Sequence, residues 1–207
     1  MAYVPPPAYS LAWFGLLAPL VQAAMVIITG SVAVVGLSAW RKQMVAKRHA
    51  ELAEQVLASF YEARDVFKWV RLPGSFGGEG ETRHIDENED EEIRKRRNAY
   101  FIPVERLTRE KELFAKLYAQ RYTFMAYFGE PAAEPFDILH KVQMEIRSAV
   151  GVLMETAKFD GAVSVNGDLT ATIGWGRGGR PDAIDRRIDE AVEAIETICK
   201  PLLKGQR

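Results

Sequence analysis

The hydrophobic and polar positions divide the chain into an uncharged beginning and a highly charged remainder. Residues 1–40 contain no Asp, Glu, Lys or Arg, so all 55 charged residues, 27 basic and 28 acidic, fall in residues 41–207. Residues 11–40 are apolar almost throughout, with Pro19 and Gln22 among the few interruptions. A helix that crosses the hydrocarbon of a bilayer needs about 20 predominantly apolar residues. The pattern therefore predicts a transmembrane helix over residues 11–40, preceded by a short tail of residues 1–10.

The residues at the two ends of this span predict its depth and its orientation in a lipid bilayer. The segment from Trp13 to Trp40 measures about 40 Å as an α-helix, which places the two indole rings in the two interfacial layers. Basic residues follow Trp40 and none precedes Trp13. Because basic residues stay on the cytoplasmic side, we expect a single-pass protein of the inner membrane, with the tail outside and residues 41–207 in the cytoplasm. The predicted interface residues are Trp13, Trp40, Arg41, Lys42, Lys47 and Arg48.

Residues 41–207 contain four segments with the apolar spacing of amphipathic helices. The first follows the span without a break signal and ends at Leu72-Pro73-Gly74. The second begins near Ile85, and Pro103 is expected to divide it into a charged piece and a longer helix over residues 104–128. Because each apolar stripe must be covered by another, we predict an all-α fold with an antiparallel helical bundle. The stripes consist of Leu52, Val56, Phe60, Ala63, Phe67 and Val70; Leu107, Phe114, Leu117, Tyr118, Tyr122, Met125 and Phe128; Leu139, Val142, Ile146, Val150, Leu153 and Ala157, in a helix over residues 135–158; and Ile184, Ile188, Ala191, Ile195, Ile198 and Leu202, in a helix over residues 182–203.

Residues 159–181 interrupt the helical periodicity. An Asn-Gly turn at Asn166 lies between two runs of β-prone residues, which is a signal for a hairpin. A three-residue loop would pair Val165 with Leu169 and Val163 with Ala171. A small β-hairpin over residues 162–173 is therefore one prediction, and a loop without regular structure is the other.

Two glycine-rich segments, residues 74–84 and 174–180, are the parts of the chain that most resemble a ligand site. The first follows a helix rather than a strand, and it lacks the Gly-Lys-Ser/Thr ending of a phosphate-binding P-loop. The three histidines have no metal-ligand spacing, and no serine stands in a Gly-x-Ser-x-Gly motif. The single cysteine, Cys199, is predicted to be a small apolar residue of a helix face. We therefore predict no catalytic residue, no cofactor and no metal site.

The charged run over residues 86–97 is more typical of a helix start than of a binding site. Acidic residues favour the first turn of a helix, and Glu91–Lys95 and Glu92–Arg96 have the i,i+4 spacing of ion pairs. The basic part suits a partner protein or anionic lipid. Nucleic acid is not expected as a partner, because six acids adjoin the run and the net charge of the chain is −1. The residues predicted to contact a ligand or partner are Arg83, His84, Arg94, Lys95, Arg96 and Arg97.

The segment LAEQVLASFYEARDVFKWVRLPGSFGGEGETR is similar to a stretch found in uncharacterised bacterial single-pass membrane proteins with a helical cytoplasmic domain. The likeness covers chiefly residues 50–85. It implies a bacterial origin, and it implies no activity, because no function is attached to that group.

These expectations favour a membrane-anchored protein that acts by protein–protein interaction, as an adaptor, scaffold or accessory subunit. Tyr118, Tyr122, Trp69 and Trp175 exceed what a small core uses, which predicts a partner protein or self-association. The alternative is a small-ligand sensor or an enzyme with a pocket formed by the glycine-rich segments 74–84 and 174–180.

Overall fold

The computed structural model describes residues 9–159, 167–175 and 180–204, with side chains at position 19 and from position 21 onward. Within these ranges the regular secondary structure is all helical and no strand occurs, which confirms the predicted all-α class. The elements are α1 (Tyr9–Val70), α2 (Glu91–Arg109), α3 (Lys111–Phe128), a 3₁₀ helix (Glu130–Ala133), α4 (Glu134–Thr156), α5 (Gly167–Thr172) and α6 (Ala183–Lys204). The chain divides into two compact units, Met1–Arg48 and His49–Arg207, and the division falls inside α1.

The first unit contains the apolar part of α1. Among the described residues one helix, Val21–Val70, is long and apolar enough to cross a membrane, with a mean hydropathy of 1.9 over its most apolar 18 residues. Signal sequences and core helices of soluble proteins pass the same test of length and composition, but none of this window is buried within the protein. The hydroxyls of Thr29, Ser31 and Ser38 each donate a 2.8 Å hydrogen bond to a carbonyl of the same helix. These polar groups thus have the internal partners that a hydrocarbon environment requires.

The larger core cluster of the second unit is formed by α1, α3, α4 and α6, together with Leu107 of α2. The stripe predicted on α1 is its centre: Phe60 packs edge-on against Phe136 with 4.8 Å between ring centroids, and Phe124 lies 5.6 Å from the same ring. Edge-to-face aromatic packing of this kind adds to the free energy gained from apolar burial. The buried members from α1 and α6 are Ala53, Val56, Leu57, Phe60, Ala63, Phe67, Val70, Ile184, Ile188, Ala191, Val192, Ile195 and Cys199.

A second, smaller cluster fixes α2 and α5 on α4. Tyr100 of α2 is buried with Val150 and Leu153 of α4 and with Ile173, which follows α5. The ring of Trp175 lies 5.3 Å from that of Tyr100. Trp175 is therefore used in internal packing and is not part of an exposed aromatic face.

Helix α2 runs through Pro103 and ends at Arg109, so the predicted division at Pro103 is wrong. Proline removes one hydrogen bond from a helix interior. Here Ile102, Pro103 and Leu107 are buried on one side of α2, and this packing keeps the turn helical. The chain breaks instead at Glu110, between α2 and α3.

Two further predictions differ from the structure. Tyr118 and Tyr122 were expected to face the core, but 45% and 52% of their surfaces are exposed, because the core side of α3 is taken by Leu113, Leu117 and Phe124. The predicted β-hairpin over residues 162–173 is not confirmed. Residues 167–172 form α5 instead, because packing against α4 decides their conformation over β propensity, and the first strand, over residues 163–165, lies outside the described residues.

Candidate functional site

The glycine-rich segment that follows α1 is held by one buried guanidinium group. Arg106 of α2 is fully buried and donates to the carbonyls of Trp69 (2.9 Å), Leu72 (3.0 Å) and Gly74 (2.7 Å). It also donates to both carboxylate oxygens of Glu79, at 3.1 and 2.6 Å. Hydrogen bonds from Arg106 hold the pKa of the Glu79 carboxyl below its usual range, although burial opposes this. Arg106 thus caps the carbonyl end of α1, where backbone acceptors lack intrahelical partners.

A second arginine holds the C-terminal part of the glycine-rich segment. Arg83 is buried and donates to Asn98 at 2.6 Å, to the carbonyl of His84 at 3.2 Å and to Glu89. Glu89 also accepts a 2.5 Å hydrogen bond from Arg97. The bond from Arg83 is the main reason that the pKa of the Glu89 carboxyl lies below its usual range. The segment is therefore tied to α2 at both of its ends.

The basic run 94–97 divides between the interior and the surface. Arg96 donates to the carbonyl of Ala157 at 3.0 Å, and Arg97 donates to that of Met154 at 2.9 Å. These carbonyls lie at the C-terminal end of α4, where cations are favoured by the helix dipole. Two of the predicted partner contacts thus act as a cap of α4.

The remaining predicted contact residues are exposed. Lys95 forms the predicted i,i+4 ion pair with Glu91 at 2.8 Å, and Arg94 and His84 are exposed. Asp90 caps α2 by accepting from two backbone amides of its first turn, as acidic residues at a helix start do. On the first unit, the predicted interface residues lie along α1, and the side chains of Trp40, Arg41, Lys42, Lys47 and Arg48 are exposed.

A third buried arginine joins the end of α1 to α5 and to the start of α6. Arg71 is fully buried and donates to the carbonyls of Ala171 and Thr172, each at 3.0 Å. It also donates to the carboxylates of Asp182 and Asp185. Burial is the largest influence on the pKa of Asp182 and raises it, but the hydrogen bonds from Arg71 and from the backbone amides of Ile184 and Asp185 together outweigh burial and leave that pKa below its usual range.

Two glycines are required by close backbone contacts in these joints. Gly80 has φ +86°, and a Cβ there would lie 2.1 Å from the carbonyl oxygen of Asn98. Gly174 has φ +93°, and a Cβ there would lie 1.9 Å from the carbonyl oxygen of Arg71. Both positions exclude any side chain. The glycines of these two segments thus serve backbone packing.

The segment over residues 72–90 presents apolar side chains and acids to solvent. Phe76 is 64% exposed and Leu72 is 47% exposed, although their backbones are fixed through Glu79 and Arg106. The exposed carboxylates of this segment are Glu81, Asp86, Glu87 and Asp90. An ordered loop that holds an aromatic ring in the solvent is a surface that a partner can cover.

Two cavities of the second unit lie away from the glycine-rich segments. An open cleft of about 480 Å³ lies between α4 and α5, and it includes Met144, Val152 and Leu169 among its lining residues. A small cavity of about 20 Å³ lies between α3 and α4, beside Tyr118 and His140. No residue of 74–84, 174–175 or 180, the described parts of these segments, lines either of them. The pocket proposed for those segments therefore stays a prediction.

Reactive groups give little support for catalysis. No group of three or more His, Cys, Asp or Glu able to hold a metal ion occurs in residues 9–159, 167–175 and 180–204. Cys199 is fully buried in the core, as predicted, and burial raises the pKa of its thiol to about 11. Such a thiol is protonated at neutral pH and is a poor nucleophile.

The chain was compared with protein-family models, with curated proteins and with solved structures, and none of them matches it. The function of the protein is therefore inferred from the residues and contacts described above.

Two of the residues that organise this region, Arg71 and Arg106, were not singled out by sequence patterns. Arg71 stands four residues after Phe67, and Arg106 stands four residues after Ile102, so both arginines continue an apolar stripe by one helical turn. A charged residue in register with a buried stripe is a usable signal for a buried ion pair. Their carboxylate partners, Glu79 and Asp182, carry no such signal, because they lie in loops.

Proposed function

We propose that this protein is a single-pass membrane protein whose helical domain, residues 41–207, binds another protein as an adaptor, scaffold or accessory subunit. The apolar part of α1 is the anchor. The basic residues that follow it favour an inner-membrane location with the domain in the cytoplasm. One observation carries the binding function: residues 72–90 are fixed by buried ion pairs, yet they hold Phe76 out in the solvent.

A fixed, exposed aromatic side chain favours binding for an energetic reason. Exposing Phe76 forgoes about 1.5–3 kcal/mol of burial free energy, and the chain could have avoided this with a polar residue. Because the Phe76 amide bonds to Glu79 at 3.1 Å, little backbone entropy remains to be lost on binding. Preorganised aromatic anchors of this kind dominate the binding energy of many interfaces.

The charge of the segment over residues 72–90 indicates the chemistry of the partner. The exposed ionised groups of residues 72–90 are acidic, and the single arginine among them, Arg83, is buried. A partner with an apolar pocket and a basic rim is complementary to this surface. Two copies of the surface would repel each other, so a different protein is favoured over self-association through this loop.

The contacts between α1 and α6 support the antiparallel bundle as part of this proposal. Arg71, at the end of α1, bonds to Asp182, at the start of α6. Nearer the start of the second unit, Tyr61 of α1 donates a 2.5 Å hydrogen bond to Glu196, in the second half of α6. The two helices therefore run in opposite directions.

Site-specific photocrosslinking of the full-length protein in native membranes tests the binding surface. The photoreactive residue benzoylphenylalanine replaces Phe76, or Phe159 as a matched control, since 64% and 65% of their surfaces are exposed. We expect a discrete adduct from position 76 and none from position 159. The mass of the adduct distinguishes another protein from a second copy of this chain.

A second experiment measures how much Phe76 contributes to the affinity for the crosslinked protein. The protein identified in it is purified, and its affinity for the full-length chain is measured with Phe76→Ala and with Phe159→Ala. Truncating an aromatic anchor costs about 2 kcal/mol or more, so we expect Phe76→Ala to weaken binding by about thirtyfold. Equal adducts at both positions, or equal affinities of both variants, contradict the proposal.

Membrane topology is tested separately. Protease added to the outside of spheroplasts should leave residues 41–207 intact, and protease added to inverted vesicles should digest them. The opposite pattern contradicts the proposed orientation, and recovery of the protein in the soluble fraction without detergent contradicts the anchor itself.

The alternative of a small-ligand sensor or enzyme retains one supporting observation. The backbone of Gly174 contacts that of Arg71, and Gly74 bonds to Arg106 beside the same end of α1. The described ends of both glycine-rich segments thus lie near one point. If the protein binds a metabolite, and if Gly74→Trp and Arg180→Glu each abolish that binding, this alternative is favoured over the adaptor.

A further inference from the structure

We propose that the cleft between α4 and α5 binds a single acyl chain that carries an anionic head group. Its volume of about 480 Å³ lies within the range of about 300–1,000 Å³ that is typical of small-molecule sites. This inference goes beyond the adaptor function, and it does not depend on any protein partner, because the cleft shares no residue with the loop over residues 72–90.

The wall of the cleft is apolar and partly open to water. Met144 and Val152 of α4 are 48% and 43% exposed, and Leu169 of α5 lines the same cleft beside the buried Ala149. Covering such side chains with hydrocarbon is favourable by about 25 cal/mol per Å². An unbranched Met side chain also adapts its shape to a flexible chain.

Cationic and polar groups lie at one end of the same helix face. Lys141 is exposed and lines the cleft together with His140. Asp137, one turn before Lys141, accepts two hydrogen bonds from Arg121 and also interacts with Lys141. Glu145, one turn after Lys141, also lines the cleft, and its charge is offset by two hydrogen bonds from Arg187 at 2.7 and 2.9 Å. The lysine ammonium group is therefore able to bind an external carboxylate or phosphate.

The length of the cleft matches an acyl chain. The rise of α4 from His140 to Val152 is about 18 Å at 1.5 Å per residue. An acyl chain spans half of a hydrocarbon core, which is about 15 Å. A head group at Lys141 therefore places the chain along Met144 and brings its end to Val152.

Photolabelling of the full-length protein in phosphatidylcholine nanodiscs tests this site. One arm adds a free fatty acid with a diazirine at the end of its chain, and the other arm includes a phosphatidylglycerol with the same diazirine. Mass spectrometry then maps the labelled residues. We expect labels on residues 144–152 or 169–172 in at least one arm. Labelling in the first arm alone identifies a free fatty acid, labelling in the second alone identifies a bilayer lipid, and labelling in both shows that the chain and its charge suffice.

Matched variants distinguish a site from random labelling. Val152→Trp fills the cleft and should reduce labelling there about tenfold, which corresponds to losing two buried methylene groups. Lys141→Glu should reduce labelling of the cleft by a similar factor. Lys116→Glu makes the same change of charge at an exposed position of α3 and should not reduce labelling. Met144→Trp replaces Val152→Trp if that variant loses its circular dichroism spectrum.

Three results would overturn the proposal. The first is labelling of the anchor, residues 11–40, without labelling of the cleft in either arm. The second is undiminished labelling of a folded cleft-filled variant. The third is equal labelling by the methyl ester of the fatty-acid probe, which has no charge for Lys141 to bind.

Discussion

Replacing Arg106 by methionine should destabilise the second unit strongly, because the change leaves a buried carboxylate without its main partner. Arg106 is fully buried and makes five hydrogen bonds, two to Glu79 and three to backbone carbonyls at the end of α1. Removing one partner of a buried ion pair lowers the free energy of unfolding by about 3–5 kcal/mol, since the remaining charge stays desolvated. A loss of this size corresponds to a fall in melting temperature of roughly 6–20 °C in a domain of this length.

Arg109→Met is the matched control for this prediction. Arg109 lies one turn further along α2 and also faces Glu79, at 3.6 Å, and Glu105, at 2.5 Å. Its side chain is 50% exposed, so its ion pairs are screened by water and are worth about 1 kcal/mol or less. The comparison therefore varies burial while it keeps the residue type, the helix and one of the carboxylate partners.

The assay is thermal unfolding of the full-length protein, followed by far-ultraviolet circular dichroism and by tryptophan fluorescence. Trp69 lies 5.3 Å from the Arg106 guanidinium, so its emission reports on this joint directly. The double variant Arg106→Met, Glu79→Gln should recover part of the loss, because it removes the stranded charge. If Arg106→Met costs no more than Arg109→Met, or if the double variant is no more stable than the single one, the reasoning from burial is refuted.

Three further predictions concern the same joints and the core. Gly174→Ala should destabilise the protein by about 1–3 kcal/mol or more in chemical unfolding, because the new Cβ would meet the Arg71 carbonyl at a positive φ. Gly77→Ala is the control: its Cβ would meet nothing within 4 Å, so stability should change by less than about 0.5 kcal/mol. Equal effects of the two substitutions would contradict the close contact at Gly174. Glu79 and Glu89 both have a pKa below the ordinary 4.5, so their contribution to stability is complete above that pH and is lost as the pH falls through the lower, folded-state values. Amide hydrogen exchange of residues 74–90, corrected for intrinsic rates, should therefore accelerate below pH 4.5 and stay constant from about pH 5 to pH 8. The thiol of Cys199, with a pKa of about 11, should resist maleimide at neutral pH until the protein is unfolded, and rapid labelling of the native protein would show that the core is open.

Much of the helical architecture follows from local sequence patterns. The stripe from Val56 to Val70 and the stripe from Ile184 to Ile195 were predicted from their spacing, and both are buried. The end of α4 and the start of α6 also lie close to their predicted positions. Helix faces can be predicted in this way because the period of 3.6 residues is a property of neighbours along the chain.

The sequence was less informative where a long-range contact competes with a local signal. Pro103 favours a break in the helix, but Ile102 before it and Leu107 after it are buried, and this packing keeps α2 continuous. Leu169 and Ala171 favour a strand, but α5 forms there and Leu169 packs beside α4. In both cases the free energy of packing exceeds the local preference, which amounts to about 1 kcal/mol for strand residues.

The separation of an uncharged apolar helix from a charged helical domain could be predicted from the amino-acid order, because charge and periodicity are properties of neighbours along the chain. The roles of the charged residues depend on contacts that form only in the folded protein. Arg106 meets Glu79 across 27 positions, and Arg71 meets Asp182 across 111. The Arg106–Glu79 pair ties the glycine-rich segment to α2, and Arg96 and Arg97 bond to carbonyls at the end of α4. No local pattern specifies such pairs, because the partners become neighbours only when the apolar stripes have packed and have excluded the water that would otherwise solvate each charge.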